Sequence, residues 1–127
     1  MKYIVDSCVW IDFFAEKRHL ETLSALLMDD LVYTNKAILA ELLPSARMKK
    51  EYELVECLSG VNELPLSIDW DEIAEIQYKC LKAGVNKIGL VDIIIAQNAA
   101  QYNMTVFSTD RHMELLSPII GVEHRKE

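Results

Sequence analysis

Short apolar segments alternate with longer stretches of helical periodicity along the whole chain, and this alternation limits the folds that it can adopt. A strand, a helix and a further strand in succession favour a crossover connection, which makes neighbouring strands parallel. A parallel sheet is buried on both faces, so its strands are short, continuous apolar segments. Five segments are candidate strands: residues 3–5, 31–33, 61–66, 105–108 and 119–122, of which residues 61–66 are less apolar and carry Pro65 near their edge. We therefore expect an α/β domain with helices on both faces of a mostly parallel sheet.

The segments between these strands carry apolar residues at helical spacing. Ser7 is expected to cap the first helix, and Gly84 provides a C-cap after the fifth. Pro44 is expected to kink or end the third helix, because its ring clashes with the carbonyl group of Ala40. Residues 124–127 are expected to form a charged tail. The predicted helices span residues 8–14, 18–29, 34–44, 48–58, 70–83, 92–102 and 110–116.

Length and cysteine content narrow the class of protein. The 127 residues are enough for one domain with a buried core, and we expect residues 1–127 to form a single domain. No apolar segment reaches the roughly 18 residues needed to cross a bilayer. Cys8, Cys57 and Cys80 show no Cys-x-x-Cys spacing, so they are expected to be reduced thiols of a cytoplasmic protein.

Four acidic residues stand out against apolar surroundings. Asp6 follows the first strand and Asp110 follows the fourth, so both are expected at the carboxyl edge of the sheet, where ligands bind in open α/β folds. Glu41 and Asp92 are each the single charge of an apolar segment, and a buried carboxylate such as Glu41 needs a cation, a proton or water. Carboxylates that converge raise one another's pKa unless a cation is present. The cluster therefore indicates a Mg²⁺ or Mn²⁺ site, with isolated caps and surface ion pairs as the alternative.

The net charge bears on the substrate of such a site. A net charge of −7 at first disfavours a nucleic-acid partner, because phosphate binding normally requires a basic surface. If four carboxylates bind metal, the rest of the molecule carries only −3. A metal held by the acids can polarise a phosphodiester and activate a water for in-line attack.

The histidines and the large aromatic residues show no comparable pattern. No serine or cysteine has the local sequence of a nucleophile elbow, so a hydrolase triad is not expected. The histidines (His19, His112 and His124) are expected to be exposed. Trp10 and Tyr33 are expected to pack in the core rather than to stack on bases.

The sequence resembles PIN-domain nucleases, and most of all the VapC-type toxin ribonucleases of bacterial and archaeal toxin–antitoxin pairs. Four motifs carry the resemblance, and their order and spacing match the family over essentially the whole chain. They are residues 3–14 (YIVDSCVWIDFF), 40–43 (AELL), 88–96 (IGLVDIIIA) and 106–110 (VFSTD). The resemblance implies a three-layer α/β/α sandwich around a five-stranded, mostly parallel sheet.

The same resemblance implies a function and a set of ligands. Members of the family cleave RNA endonucleolytically with Mg²⁺ or Mn²⁺, form homodimers and are inhibited by an antitoxin protein that covers the groove. By analogy, Asp6 and Asp92 would be the main metal ligands. Glu41 and Asp110 would complete the acidic site, partly through water.

Positions beside the acids both match the family and depart from it. Ser7 and Ser108 match places where the family often has a small hydroxyl residue that supports the first acid or the metal-bound water. Cys8 stands where the family more often has serine or threonine. After the fourth acid, residues 111–113 (Arg-His-Met) replace the usual acidic-aromatic ending, so an extra acid is missing. Arg111 is expected either to contact phosphate or to form a surface salt bridge.

Other functional classes share parts of this pattern. A receiver-type phosphoacceptor domain also binds Mg²⁺ through acids, but it needs paired acids after the first strand, where Asp6 stands alone. A haloacid-dehalogenase-type phosphatase needs Asp-x-Asp, where residues 6–8 are Asp-Ser-Cys. A non-catalytic PIN-like module usually lacks the acids that are all present here. A PIN nuclease that processes RNA without being a toxin remains the other alternative.

Overall fold

A computed structural model describes residues 1–127 as five strands and seven helices. The strands are β1 (Tyr3–Val5), β2 (Val32–Thr34), β3 (Asn62–Glu63), β4 (Thr105–Phe107) and β5 (His124–Arg125). The helices are α1 (Ser7–Ala15), α2 (Leu20–Met28), α3 (Lys36–Met48), α4 (Tyr52–Ser59), α5 (Trp70–Lys82), α6 (Leu90–Gln101) and α7 (Arg111–Ile120). No helix is long and apolar enough to cross a membrane.

The five strands form one parallel sheet in the order β3-β2-β1-β4-β5. β1 is central, and Tyr3 pairs with Val32 on one side and with Thr105 on the other. This arrangement confirms the predicted α/β fold with a five-stranded parallel sheet. The order differs from the 2-1-3-4-5 order of receiver-type domains, so the structure does not support the phosphoacceptor alternative.

The central strands are buried because helices cover both faces of the sheet. All three residues of β1 and all three of β4 are buried, and α6 is apolar on nearly every side. A helix that is hydrophobic all round belongs inside a fold, and Ile93 and Ile95 are indeed inaccessible to solvent. Trp10 of α1 is also completely buried, as predicted. The core thus fixes α1 and α6 against the sheet, and both helices begin at its carboxyl edge.

Pro44 does not end α3, so the prediction that the helix would stop there was wrong. The helix continues through Pro44 to Met48. Pro44 and Ala40 both lie on the exposed face of the helix. Water can therefore bind the carbonyl group that Pro44 leaves without an amide partner, which reduces the cost of a proline at this position.

The last strand also lies elsewhere than predicted. Residues 119–120 end α7, which Gly121 closes in a left-handed conformation (φ 83°) while its N–H donates to the Ser117 carbonyl. Met113 and Leu116 of this helix are fully buried, so its apolar stripe packs on the core instead of forming an edge strand. β5 is formed by His124–Arg125, which had been expected in a charged tail.

Candidate metal-binding site

Asp6 is held rigidly at the junction between β1 and α1. Its backbone N–H donates to the Phe107 carbonyl of β4 at 2.9 Å. Its Oδ1 accepts from the Ser7 N–H at 2.8 Å, and its Oδ2 accepts from the Ser108 hydroxyl at 2.8 Å. Asp6 is therefore itself the N-cap of α1, and Ser7 supports it through its backbone rather than capping the helix with its hydroxyl as predicted. Only 4% of Asp6 is exposed.

Ser108 links the ends of the two central strands. Its hydroxyl donates to Asp6 and accepts from the Asp110 N–H at 3.1 Å, and no part of the residue is exposed. The thiol of Cys8 lies 3.5 Å from the same hydroxyl oxygen and 3.9 Å from Oδ2 of Asp6. Cys8 thus lies beside Asp6 without displacing the hydrogen bond from Ser108 to Asp6.

Three of the acids lie at the beginnings of helices. Asp6 caps α1, and Asp110 caps α7 by accepting from the His112 N–H at 2.8 Å. Asp92 lies in the first turn of α6, where its carboxylate is close to the backbone of Gly89. The positive end of a helix dipole stabilises negative charge, so three helix N-termini partly offset the crowding of these carboxylates.

Glu41 lies in the middle of α3, and its residue surface is exposed rather than buried as predicted. Its carboxyl group is nevertheless partly shielded from water. This desolvation, together with the charges of Asp6, Asp92 and Asp110, raises the pKa of Glu41. A carboxylate that responds to all three other acids lies within electrostatic range of them, so the four predicted residues meet at one edge of the sheet.

The pKa values indicate excess negative charge at this edge. Burial raises the pKa of Asp6. The hydrogen bonds that Asp6 accepts from Ser108 and Ser7 lower this pKa, and the charge of Asp110 raises it by a smaller amount. Burial also raises the pKa of Asp92, followed by the charges of Asp6 and Asp110. No lysine or arginine forms a salt bridge with any of the four acids. The protein itself thus leaves the cluster without a full cationic partner.

A histidine that sequence reasoning placed on the open surface joins this cluster. One ligand atom each of Asp92, Asp110 and His112 lie within 4.8 Å of one another. Ligands on opposite sides of a small divalent ion at about 2.1 Å are about 4.2 Å apart, so these atoms nearly span one ion. Carboxylate oxygens and an imidazole nitrogen are suitable donors for such an ion. The residues present therefore fit a divalent metal.

Two other residues near the acids have structural partners. Arg111 is exposed, and its Nη1 lies 3.3 Å from Oε2 of Glu114, so the salt-bridge alternative describes its contact in the structure. His19 is largely buried instead of exposed: its Nε2 lies 3.7 Å from Oδ2 of Asp12, and its ring packs edge-on against Phe107. Asp12 is thereby half-buried and faces a histidine, not the acidic cluster.

Comparison with known proteins identifies the family. The PIN domain model matches residues 3–117. The chain belongs to the PIN domain family. The predicted resemblance is thereby confirmed.

Chains of three solved complexes have the same fold at low sequence identity. The VapBC2 complex of Rickettsia felis, bound to a promoter DNA fragment, contains a chain with a TM-score of 0.76 and 18% identity over 98% of both chains. A chain of the DNA-bound VapBC of Salmonella typhimurium has a TM-score of 0.74 and a sequence identity of 18%. The match covers 98% of this chain and 97% of that chain. A chain of FitAcB of Neisseria gonorrhoeae has a TM-score of 0.68 and a sequence identity of 20%. The match covers 98% of this chain and 96% of that chain. No curated protein matches the sequence significantly.

Replacing Ser108 by alanine is expected to weaken Mn²⁺ binding by about tenfold, because groups that orient metal ligands typically contribute 10–100-fold to affinity. The substitution leaves Oδ2 of Asp6 without its donor and frees the carboxylate to rotate. Isothermal titration calorimetry of the metal-free protein measures the effect. Ser117→Ala is the matched control, because Ser117 is also buried but bonds only to the Met113 carbonyl of its own helix. Equal affinities for both variants would contradict a role for Ser108 in orienting Asp6.

Without metal, the PIN domain is expected to lose stability as the pH rises from about 4 towards neutrality. The pKa values of Asp6, Glu41 and Asp92 are raised in the folded state, so the folded state holds protons that the unfolded chain has already released. Their contribution is fully present below the unfolded pKa values and is lost as the pH rises through the folded ones. Asp92→Asn removes one of these groups, so it should raise the melting temperature by a few degrees at neutral pH.

Thermal unfolding followed by circular dichroism in the presence of a chelator checks this prediction. The advantage of Asp92→Asn over the wild type should disappear below about pH 3, where the carboxyl groups of both the folded and the unfolded states are protonated. If the difference in melting temperature between Asp92→Asn and the wild type is the same at all pH values, the gain in stability does not come from the charge at the cluster.

Proposed function

We propose that this PIN domain is a metal-dependent endoribonuclease and the toxin of a toxin–antitoxin pair, with residues 1–127 acting as a single domain. The observation that carries the proposal is the convergence of Asp6, Glu41, Asp92 and Asp110 at one edge of the sheet without a lysine or arginine partner. Such a cluster is unfavourable unless a cation neutralises it, and oxygen-rich sites of this kind suit Mg²⁺ or Mn²⁺. The alternative of scattered caps and ion pairs does not account for the mutual electrostatic effect of all four acids.

Each acid has a different part in the proposed mechanism. Asp6, Asp92 and Asp110 would hold the metal, and Ser7 and Ser108 keep Asp6 in one orientation through two hydrogen bonds. The bound ion would supply polarisation of the phosphodiester and a more acidic water. Glu41 is an exposed residue whose carboxyl group is partly shielded from water, and its raised pKa makes it suited to accept the proton released by the attacking water.

The surroundings of the cluster suit a polymeric substrate. Glu41 is exposed and the side chain of Asp110 is half-exposed, so a nucleic acid can approach this edge of the sheet. Arg111 lies next to Asp110 and is paired only with the exposed Glu114. Because an exposed salt bridge contributes only about 0–1 kcal/mol, this guanidinium can exchange Glu114 for an RNA phosphate at little cost.

The proposed partners are an antitoxin protein and a second copy of the chain. The antitoxin is supported by the structural neighbours, which were solved as VapBC and FitAB complexes, some of them on DNA. A homodimer is supported by the large apolar side chains exposed along α5, where Trp70, Tyr78 and Leu81 are 58%, 56% and 65% accessible.

A cleavage assay tests the proposed chemistry. We expect the purified protein to cut structured RNA in the presence of Mg²⁺ or Mn²⁺, to lose activity with a chelator and to regain it when excess metal is added. The cut ends should carry a simple phosphate, because the proposed nucleophile is water. Activity in the chelated sample, or a 2′,3′-cyclic phosphate end, would contradict a metal-activated water.

A growth assay separates a toxin from an RNA-processing enzyme. Controlled expression in the native host should arrest growth, and a small protein that copurifies with the chain should relieve the arrest. Cleavage of RNA without growth arrest and without such a protein would favour the processing role.

A further inference from the structure

His112 has no partner in the structure other than the acids of the cluster. Its backbone N–H donates to Oδ1 of Asp110, and its Nδ1 lies 4.0 Å from the same oxygen. The imidazole forms no hydrogen bond to any other group of the protein. A ring that is aligned beside two carboxylates and is not otherwise used is available for a ligand.

The position of His112 in α7 holds its backbone beside the Asp110 carboxylate. Asp110 is the N-cap of this helix and His112 is its second residue, so the capping hydrogen bond holds the histidine backbone against the Asp110 carboxylate. Met113, the next residue, is completely buried and anchors this first turn in the core. Arg111 points to Glu114 and does not compete for the site. The side chain of His112 is 44% accessible, so an ion can reach it from solvent.

We propose that His112 is a nitrogen ligand of the metal held by Asp92 and Asp110, and that it makes the site select Mn²⁺, or another transition metal, over Mg²⁺. The inference rests on the proposed metal-dependent function, but it concerns which ion the site prefers. Mg²⁺ binds almost entirely through oxygen and is reluctant to lose its water, whereas imidazole suits first-row transition metals. A site of three carboxylates would discriminate only weakly between Mn²⁺ and Mg²⁺, because both ions accept oxygen ligands. The addition of a histidine ligand would favour Mn²⁺.

The arrangement also agrees with the spacing that a single ion requires. The three ligand atoms span at most 4.8 Å, and about 0.6 Å of closure brings opposite ligands to the separation set by bonds of about 2.1 Å. The half-exposed side chains of His112 and Asp110 lie at the start of a helix, where small rotamer changes suffice for that closure. The inferred site thus needs no movement of the backbone.

Metal binding to the purified, metal-free protein tests the inference without an activity assay. Calorimetric titration should show that His112→Ala weakens Mn²⁺ binding by about 10–100-fold but weakens Mg²⁺ binding by less than about threefold. Pulsed electron paramagnetic resonance of the Mn²⁺ complex should detect a directly bound nitrogen in the wild type and none in His112→Ala. His112→Asp, which offers oxygen in place of nitrogen, should bind Mg²⁺ at least as well as the wild type and should also lack the nitrogen signal.

Two control variants separate the possible outcomes. Arg111→Ala removes a neighbouring charge and should change neither the nitrogen signal nor the ratio of the two affinities. Asp92→Asn should weaken the binding of both ions; if it weakens neither, the proposed metal-dependent function itself fails. Suppose that Asp92→Asn weakens the binding of both ions. If the Mn²⁺ complex of the wild type then shows no bound nitrogen, or if His112→Ala weakens the binding of both ions equally, the role of His112 is overturned and the proposed function stands.

Discussion

Asp92→Asn is expected to reduce RNA cleavage by about 1000-fold or more, since a metal contributes several kcal/mol to transition-state stabilisation and each 1.4 kcal/mol is about tenfold in rate. The amide keeps the shape of the side chain and its place in the first turn of α6. It removes the negative charge that attracts the ion and leaves the remaining acids with a weaker hold on it. Cleavage of a labelled RNA at a Mn²⁺ concentration that just saturates the wild type measures the loss, and much higher Mn²⁺ concentrations should restore part of the rate of the variant.

Asp71→Asn is the matched control for this substitution. Asp71 also lies in the first turn of a helix, α5, but it is exposed, so the change in charge and in helix position is the same. The control should keep nearly full activity. Because Asp92→Asn is expected to stabilise the metal-free fold, a loss of activity cannot be attributed to unfolding when both melting curves are recorded. Comparable activity in the two variants would remove Asp92 from the mechanism.

Asn98→Ala is expected to lower the free energy of unfolding by about 2–4 kcal/mol, because it breaks one buried and one partly buried hydrogen bond and leaves the buried amide of Asn35 unsatisfied. The Asn98 amide donates to the Pro65 carbonyl at 3.0 Å, and its Oδ1 accepts from Nδ2 of Asn35 at 2.9 Å. Asn35 in turn caps α3 by accepting from the Ile38 N–H. One side chain of α6 thereby fixes the start of the helix that carries Glu41.

Urea denaturation measures this loss, and Gln101→Ala is its control. Gln101 lies one turn further along α6 and also donates to a carbonyl of the same loop, that of Ser67, but from an exposed position. Its loss should cost less than about 0.5 kcal/mol, since exposed polar contacts exchange readily with water. If the two substitutions lower the free energy of unfolding equally, burial of the Asn35–Asn98 pair contributes nothing to stability.

The elements at the centre of the sheet could be predicted from sequence, whereas its edges could not. Residues 3–5 and 105–107 are continuous apolar segments because helices cover them on both faces, and burial of this kind leaves a clear pattern. β5 has only two residues, His124 and Arg125, and an edge strand so short has no apolar pattern of its own. The apolar residues 119–120 instead extend the buried stripe of α7, and a short run of isoleucine does not by itself distinguish a strand from a helix end.

The candidate site was predictable to a similar extent. The rule that parallel strands end at one edge selected Asp6 and Asp110, and isolation among apolar residues selected Glu41 and Asp92. The same isolation wrongly suggested that Glu41 is buried, because apolar neighbours in sequence can cover the other faces of a helix and leave one face open. His112 was missed because its place beside Asp110 depends on the capping geometry of α7, which no hydrophobic pattern encodes.

The pairing of β1 with β4 also governs when the acids assemble while the chain is being made. Asp6 receives its hydrogen bond from Ser108, and 102 positions separate the two residues. Contacts so distant in sequence form late, because the ends of a long loop must first be brought together. A ribosome that has synthesised only the first half of the chain therefore carries Asp6 and Glu41 but no cluster. The acids come together only after residue 110 has emerged, so an unfinished chain on the ribosome lacks the complete site that the proposed RNA cleavage requires.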